Sequence, residues 1–404
     1  MRKHYRAWKE DRTDRHCHPI FTCIDGCGTG KSRLLDEFPR LLQEELVYPP
    51  DCEDKESMQA MLRDALVFKI SFSREEVYWP VTSTVGSRML YQLQDAHEWS
   101  FFSRFTERHM TPEHALSLLS QQLEKPRDEM CVILCVDDLQ CLAQGTYNGS
   151  QMDDMEDGEE LFLKTMSSLS LLVNESKCWV TVICASTSFT PMYEYQVRTS
   201  QWRVDVPTRS LTHPMVNGVS IFDEFSMEDP RLMDVLIDDM GGFPRVLAQL
   251  YHILDSKSKS HNTSTFVFRS VYDFVVQDFQ VKYRMDGPQL ASMRLAFLAV
   301  LRCDSVAHLS RFGDLVLDEV LACSLMRVQS DRLVCPYMLY VLLESSRWDL
   351  SEKYLPRAER IDRTPWMTWQ EFNIKFRVLK SLAWGVVNDP YLRWGKSARR
   401  SAVW

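Results

Sequence analysis

The chain has 404 residues, of which 45% are hydrophobic and 25% are charged, as in ordinary globular proteins, and this length predicts two or three domains. The formal net charge of −9 gives no general attraction to nucleic acid or to an anionic membrane. No apolar run approaches the roughly 18 residues of a membrane span, and no secretory signal is recognisable. The twelve cysteines follow no zinc-binding spacing. We therefore expect an intracellular protein, cytoplasmic or nuclear, with no membrane partner. The net charge does not support a nucleic-acid partner, and contact with DNA through a local part of the chain stays open.

The first element with a clear pattern is a strand, a loop and a helix at residues 20–46. Residues 20–24 form a short apolar run, which predicts a buried strand. A glycine-rich loop follows, and leucines then recur at helical spacing up to Leu46. Pro39 interrupts this spacing and is expected to kink the helix or to split it in two.

Further apolar runs alternate with amphipathic stretches as far as about residue 210. The runs predict strands at residues 66–72, 131–136, 179–184 and 203–206, and the intervening pattern predicts helices at residues 112–123 and 159–173. Continuous apolar strands that alternate with helices are typical of a mostly parallel sheet covered on both faces. The predicted fold class is therefore a three-layer α/β core.

The loop at residues 25–32 has the composition of a phosphate-binding loop. A triphosphate is held by backbone amides at a helix N-terminus, and glycines allow its close approach. Lys31 would reach the β- and γ-phosphates, and the Ser32 hydroxyl would bind Mg²⁺. Asp25 stands where the pattern calls for its first glycine, which leaves ATP turnover open. The predicted ATP-binding residues of the loop are Gly26, Cys27, Gly28, Thr29, Gly30, Lys31 and Ser32.

Acidic and hydroxyl side chains follow two of the predicted strands. Asp137 and Asp138 come directly after an apolar run. Asp137 is the candidate Mg²⁺ ligand, and Asp138 is the candidate group that orients or deprotonates the attacking water. Thr187 and Ser188 follow the next strand and are candidate sensors of the γ-phosphate. The alternative for all four residues is the start of an ordinary solvated loop.

Helices dominate the sequence from about residue 211. Residues 226–229 resemble a capping box with Ser226 as N-cap, and this helix is expected to stop at the turn that contains Gly242. A helix from residue 244 to 254, a polar surface loop at 256–264 and a hairpin at 325–335 are also predicted. The predicted domains are an N-terminal segment (1–17), a nucleotide-binding core (18–210), a helical lid (211–285), a winged-helix-like domain (286–345) and a helical tail (346–404).

The order of these motifs resembles the signal-transducing ATPases with numerous domains (STAND), which are related to the AAA+ proteins. The resemblance implies that a Gly-x-Pro turn lies against the nucleotide, which makes Gly242 and Pro244 candidates, and that Arg245 senses phosphate. The segments at residues 28–39, 241–245 and 369–381 are similar to the NTPase modules of crinkler-type and retrotransposon hot spot proteins. Those modules precede an effector domain, which we do not expect in this chain.

These patterns predict an ATP-dependent conformational switch with Mg²⁺ and slow hydrolysis. The alternatives are a catalytically inactive interaction scaffold and an AAA+ ring ATPase. No arginine finger can be assigned among Arg198, Arg203 and Arg209. The helical face that contains Trp369 and Phe372 either completes the preceding domain or binds a protein partner or a second copy of the chain.

Overall fold

The computed structural model provides the positions of most residues before the C-terminal segment. The predicted tail at 346–404, including Trp369 and Phe372, lies outside the described residues. The described residues are 1–44, 46, 53–72, 85–93, 110–143, 158–211, 214–216, 218–229, 231–261, 265–283, 287–307, 310–323, 325–339 and 343.

Helices and short strands alternate along these residues. The helices are α1 (Arg2–Lys9), α2 (Lys31–Glu44), α3 (Lys55–Arg63), α4 (Val85–Tyr91), α5 (Pro112–Gln122), α6 (Gln140–Ala143), α7 (Gly158–Glu175), α8 (Thr190–Thr199), α9 (Arg231–Asp239), α10 (Pro244–His261), α11 (Phe268–Lys282), α12 (Gly287–Arg302) and α13 (Leu317–Cys323). The strands are β1 (Ile20–Ile24), β2 (Leu66–Ser71), β3 (Cys131–Asp137), β4 (Trp179–Ser186), β5 (Arg203–Asp205), β6 (Met215–Val216), β7 (Val219–Ser220), β8 (Ser226–Met227), β9 (Thr265–Phe266), β10 (Arg311–Phe312), β11 (Leu315–Val316), β12 (Arg327–Gln329) and β13 (Arg332–Val334).

The first five strands form one sheet in the order β2-β3-β4-β1-β5. Each neighbouring pair in this sheet is parallel. Successive side chains of a strand point to opposite faces of the sheet. In the central strands β3 and β4 the side chains on both faces are buried, because an apolar cluster covers each face. Leu134 packs in one apolar cluster and its neighbour Ile133 in the other. The predicted three-layer α/β class with a parallel sheet is confirmed.

Helix α2 continues through Pro39 from Lys31 to Glu44, so of the two predicted outcomes, a kink or a split, the split is wrong. A proline inside a helix removes one backbone hydrogen bond. Here Pro39 is buried, as are Leu35, Phe38 and Leu42. We attribute the continuity of α2 to this apolar packing, which outweighs the single lost hydrogen bond.

The chain divides into two compact units. The first contains the described residues of Met1–Asp25 and Gly30–Thr208, and the second contains the loop tip Gly26–Thr29 together with the described residues from Arg209 onward. The second unit has its own apolar core, formed mainly by α9, α10 and α11. Its β12–β13 hairpin is antiparallel, as the sequence predicts at 325–335, and Ser330 and Asp331 in its turn have positive φ angles.

Two helix boundaries in the second unit differ from their predictions. Ser226 lies in a strand, and α9 begins at Arg231, whose N–H donates to the Asp229 carboxylate over 3.0 Å. The predicted capping box fails because Pro230 follows Asp229 in the sequence, and a residue before proline disfavours the helical conformation. The predicted loop at 256–264 is wrong over its first part, since α10 extends to His261.

Within the described ranges, no helix is long and apolar enough to cross a membrane.

Candidate nucleotide-binding site

The glycine-rich loop joins the end of β1 to the start of α2 and is shaped by two left-handed residues. Gly28 has φ +75° and Gly30 has φ +99°, a region that disfavours side chains. The Thr29 hydroxyl donates to the Gly26 carbonyl over 2.9 Å, which closes the turn. The N–H of Leu34 donates to the Gly30 carbonyl over 2.9 Å and begins the helix. The sequence thus folds locally into the strand–loop–helix that phosphate binding requires.

Lys31 is buried, with 8% of its surface exposed. Its ammonium group donates to the Asp25 carbonyl over 2.9 Å. The first turn of α2 brings this side chain back to the start of the loop. The positive charge of Lys31 is therefore held at the residue where the loop begins.

Ser32 and Asp137 are hydrogen-bonded through their side chains. Burial raises the pKa of the Asp137 carboxyl above its usual value, and the nearby Asp138 carboxylate raises this pKa further. The hydrogen bond from Ser32 and the charge of Lys31 lower it. The structure therefore brings the predicted Mg²⁺ ligands together at the end of β3.

Asp138 has a left-handed backbone with φ +58°, which is uncommon for a residue other than glycine and occurs often at functional sites. Its backbone N–H donates to the carboxylate of Asp137 over 2.9 Å. The Asp138 carboxylate accepts a hydrogen bond from the Gln140 amide over 2.9 Å and lies 3.5 Å from the Ser71 hydroxyl.

Gln140 links the ends of β3 and β4, and the sequence gives no sign of this role. It is 8% exposed, and its amide oxygen accepts the backbone N–H of Thr187 over 3.1 Å. Its amide nitrogen binds Asp138, so one side chain positions two predicted site residues. Ser188 lies one residue further on, where its N–H donates to the Ser186 hydroxyl over 3.0 Å. Sensing of the γ-phosphate by Thr187 or Ser188 stays a prediction.

The carboxylate of Asp25 accepts a hydrogen bond from the Thr208 hydroxyl. Asp25 is 4% exposed, and Thr208 follows β5 on the edge of the sheet next to β1. An acid at this position need not repel bound phosphates, because the Thr208 hydroxyl holds its carboxylate.

The predicted Gly-x-Pro turn begins α10 at Pro244. The Arg245 backbone N–H donates to the Gly28 carbonyl over 3.1 Å, and its guanidinium lies 2.8 Å from the Cys27 sulfur. A Cβ on Gly28 would lie 2.7 Å from that of Arg245. The structure therefore brings Arg245 to the loop tip. The Gly242 carbonyl instead accepts the N–H of Leu211 over 2.9 Å, which places this glycine against the segment after β5.

Two of the three candidate arginine fingers form ion pairs within the first unit. Arg198 lies 3.0 Å from Glu159, and Arg203 lies 3.1 Å from Asp205. The third candidate, Arg209, is exposed.

The oxygen groups at the end of β3 fit Mg²⁺. Hydroxyl and carboxylate oxygens are the donors that this ion prefers, and it keeps several waters and substrate phosphates in its shell. Among the residues whose placement is described, no group of three or more His, Cys, Asp or Glu side chains could hold a metal ion. Ser32 and Asp137 supply two oxygen donors, so a bound Mg²⁺ would take its other ligands from water and phosphate.

No known family model matches the chain. Crinkler effector protein 108 of Phytophthora sojae is 26% identical over 422 aligned positions, which cover 94% of this chain and 46% of that protein. The chain thus spans just under half the length of this relative. The structure of the Drosophila ORC bound to DNA aligns with a TM-score of 0.37 and 13% identity, over 74% of this chain and 66% of that chain. A Walker-type ATPase of Pyrococcus abyssi aligns with a TM-score of 0.41 and 12% identity, over 85% and 94%.

Proposed function

We propose that this chain binds ATP with Mg²⁺ in the loop of residues 26–32 and hydrolyses it slowly. The observation that carries the proposal is the convergence of Lys31, Ser32 and Asp137 at the end of a parallel sheet. Lys31 is buried over the loop, and Ser32 is hydrogen-bonded to Asp137. A cation, a hydroxyl and a carboxylate in this order are what a bound Mg²⁺–triphosphate requires.

Each group has a specific part in the proposed site. The amides of the loop and the helix N-terminus bind phosphate oxygens, and Lys31 exchanges the Asp25 carbonyl for the β- and γ-phosphates. Ser32 and Asp137 hold Mg²⁺, which neutralises charge on the phosphates when it is bound. Asp138, oriented by Gln140, accepts a hydrogen bond from the attacking water and aligns it.

We further propose that ATP hydrolysis is slow and that the chain acts as a nucleotide-dependent switch. An arginine finger contributes roughly 10³–10⁵ to phosphoryl-transfer rates, whereas Arg198 and Arg203 pair with carboxylates of their own unit. Arg245 contacts the loop tip at Gly28 and Cys27, where it would feel the charge of a bound phosphate. We propose that nucleotide state sets the position of this turn, as in a STAND-type switch, and that the switch acts on a protein partner or a second copy of the chain.

Equilibrium binding tests the proposal most directly. Titration calorimetry with ATP and ADP, each with and without Mg²⁺, would be carried out on the parent chain and on Lys31→Ala. We expect the parent to bind ATP more tightly with Mg²⁺ than without it, and Lys31→Ala to lose at least about tenfold in ATP affinity. Lys177→Ala, which removes an exposed lysine of the same unit, is the control and should bind as the parent does.

Lys31 is buried, so Lys31→Ala could lose ATP binding because it unfolds. A second variant separates these two effects. Lys31→Met keeps most of the aliphatic stem and removes only the charge, and thermal unfolding should show a folded chain. Equal ATP affinity in the parent and a folded Lys31→Met would show that the loop does not bind phosphate in this way. A parent chain that binds no nucleotide would favour the inactive scaffold instead.

A further inference from the structure

Two threonine–aspartate pairs follow one another along β1 and β5. Thr22 and Asp205 are partners in the parallel register, and the Thr22 hydroxyl donates to the Asp205 carboxylate over 2.6 Å. Three residues further along each chain segment, the order is reversed, and the Thr208 hydroxyl donates to the Asp25 carboxylate. The first pair lies within the sheet. The second pair joins the start of the phosphate loop to the chain that leaves β5.

Asp25 is also where two other contacts of the loop meet. Its backbone N–H donates to the Ser186 carbonyl at the end of β4 over 3.2 Å. Its own carbonyl accepts the Lys31 ammonium over 2.9 Å. The Lys31 contact and the Thr208 contact therefore belong to the same residue, so a phosphate that draws the Lys31 ammonium from this carbonyl would act on Asp25.

The chain on the other side of Thr208 reaches the Gly-x-Pro turn within three residues. Thr208 is the last residue of the first unit. In the second unit, the Leu211 N–H donates to the Gly242 carbonyl over 2.9 Å. A Cβ on Gly242 would lie 2.7 Å from the Ser210 Cβ, so the turn and this segment are closely packed. Only Arg209 and Ser210 separate the Thr208 contact from the Leu211 contact.

We infer that Asp25 is a positioning residue that couples phosphate binding at the loop to the chain at residues 208–211 through its hydrogen bond to Thr208. The inference rests on the proposed ATP site and adds a route by which that site reaches the turn at Gly242. Release of Lys31 from the Asp25 carbonyl changes the position of Asp25. Its carboxylate carries this change to Thr208, and the short chain carries it to Leu211.

Tryptic cleavage after Arg209 reports on this segment, because Arg209 is exposed and stands next to Thr208. The rate of this single cleavage would be followed by mass spectrometry on the full chain, with and without ATP and Mg²⁺, beside calorimetric ATP binding. In the parent we expect ATP to change the rate. In Thr208→Val, which keeps the shape and removes the hydroxyl, we expect faster cleavage without ATP, no response to ATP, and an ATP affinity changed by about threefold or more.

Two variants serve as controls. Thr208→Ser keeps the hydroxyl and should restore the response to ATP. Thr22→Val removes the matched hydroxyl of the neighbouring pair and should leave the response as in the parent. A cycle of Asp25→Ala, Thr208→Val and the double variant should be non-additive in ATP affinity, since the two side chains act through one bond.

The outcomes separate this inference from the function on which it rests. A parent that binds ATP while Thr208→Val responds like the parent would overturn the coupling and leave the ATP site intact. The same holds if ATP binds the parent without any change in cleavage after Arg209, or if Thr22→Val abolishes the response as fully as Thr208→Val does. A parent that binds no ATP would overturn the proposed function, and the coupling with it.

Discussion

The hydroxyl of Ser32 and the carboxylate of Asp137 are hydrogen-bonded to one another, although Ser32 lies in the first turn of α2 and Asp137 ends β3. Two oxygen donors suited to Mg²⁺ therefore stand side by side in the folded chain. Their positions are fixed by the parallel sheet, in which β3 and β1 are separated only by β4. In the proposed site these two oxygen donors would hold Mg²⁺.

Asp137 and Asp138 should respond differently to removal of their charge. Asp137→Asn is expected to weaken the Mg²⁺-dependent part of ATP binding, because it removes a charged ligand. Asp138→Asn is expected to spare binding and to slow hydrolysis by ~10²–10⁴-fold, as for loss of a water-orienting group. Calorimetry and single-turnover hydrolysis would measure the two effects, and identical behaviour of both variants would contradict this division of roles.

Gln140 should matter for hydrolysis although we do not expect it to touch the nucleotide. Its amide holds the Asp138 carboxylate and the Thr187 backbone, so Gln140→Leu should leave Asp138 misoriented and slow single-turnover hydrolysis by about tenfold. ATP affinity should be unchanged. Gln122→Leu, at an exposed position of α5, is the control. A Gln140→Leu chain that is stably folded and hydrolyses ATP as fast as the parent would remove Gln140 from the site.

Cys27 provides a chemical test of where ATP binds. This cysteine stands in the glycine-rich loop and is partly exposed, whereas Cys303 is exposed in the second unit. With ATP and Mg²⁺ at ten times the dissociation constant, alkylation of Cys27 by N-ethylmaleimide should slow about tenfold, because only the free fraction reacts. Peptide mapping would follow both thiols. Alkylation of Cys303 should not change, and equal labelling of Cys27 with and without ATP would place the nucleotide elsewhere.

Acid should destabilise the first unit through a buried histidine pair. His4 Nε2 donates to the Val180 carbonyl over 2.8 Å, and His4 Nδ1 lies 2.9 Å from His18 Nδ1. Burial lowers the pKa of His4 to about 3, and it also lowers the pKa of His18. The charged groups that act on the pair are the N-terminus, Arg12 and Asp14; the first two lower these pKa values, whereas Asp14 raises that of His18.

The lowered pKa values make the folded chain less stable in acid. The folded pKa of His4 lies below the unfolded value of about 6.5, so the unfolded chain binds more protons between the two values. The contribution to stability is complete above about pH 6.5 and falls with acidification by up to about 1.4 kcal/mol per pH unit. Asp239, whose pKa burial raises to about 7, acts in the opposite direction over the same range.

Comparison of variants separates the contribution of His4 to the pH dependence of the unfolding free energy from that of Asp239. His4→Gln keeps a hydrogen-bond donor and does not titrate, so its urea unfolding free energy should fall less between pH 7 and pH 5 than that of the parent. His16→Gln, at an exposed histidine, should follow the parent. An identical pH dependence of the unfolding free energy in the parent and in His4→Gln would show that His4 does not cause the loss of stability in acid.

The strands and the glycine-rich loop between β1 and α2 were predictable from the sequence because their signals are local. The runs at residues 20–24, 131–136 and 179–184 are apolar except for Thr22 and Thr181, as is typical of strands buried on both faces. The glycines at positions 28 and 30 take left-handed conformations. Helix ends were less predictable. The start of α9 depends on Pro230, and the continuity of α2 depends on how Pro39 packs.

Only the tertiary structure decided where the carboxylate of Asp25 points and what Gln140 holds. The partner of Asp25 is Thr208, 183 residues away, and Gln140 bridges to Thr187, 47 residues away. These bonds exist because parallel strands bring the ends of distant segments to one edge of the sheet. A sequence pattern specifies which side chains follow each strand. Which of them meet depends on the order of the strands, and this order is set by packing over the whole sheet.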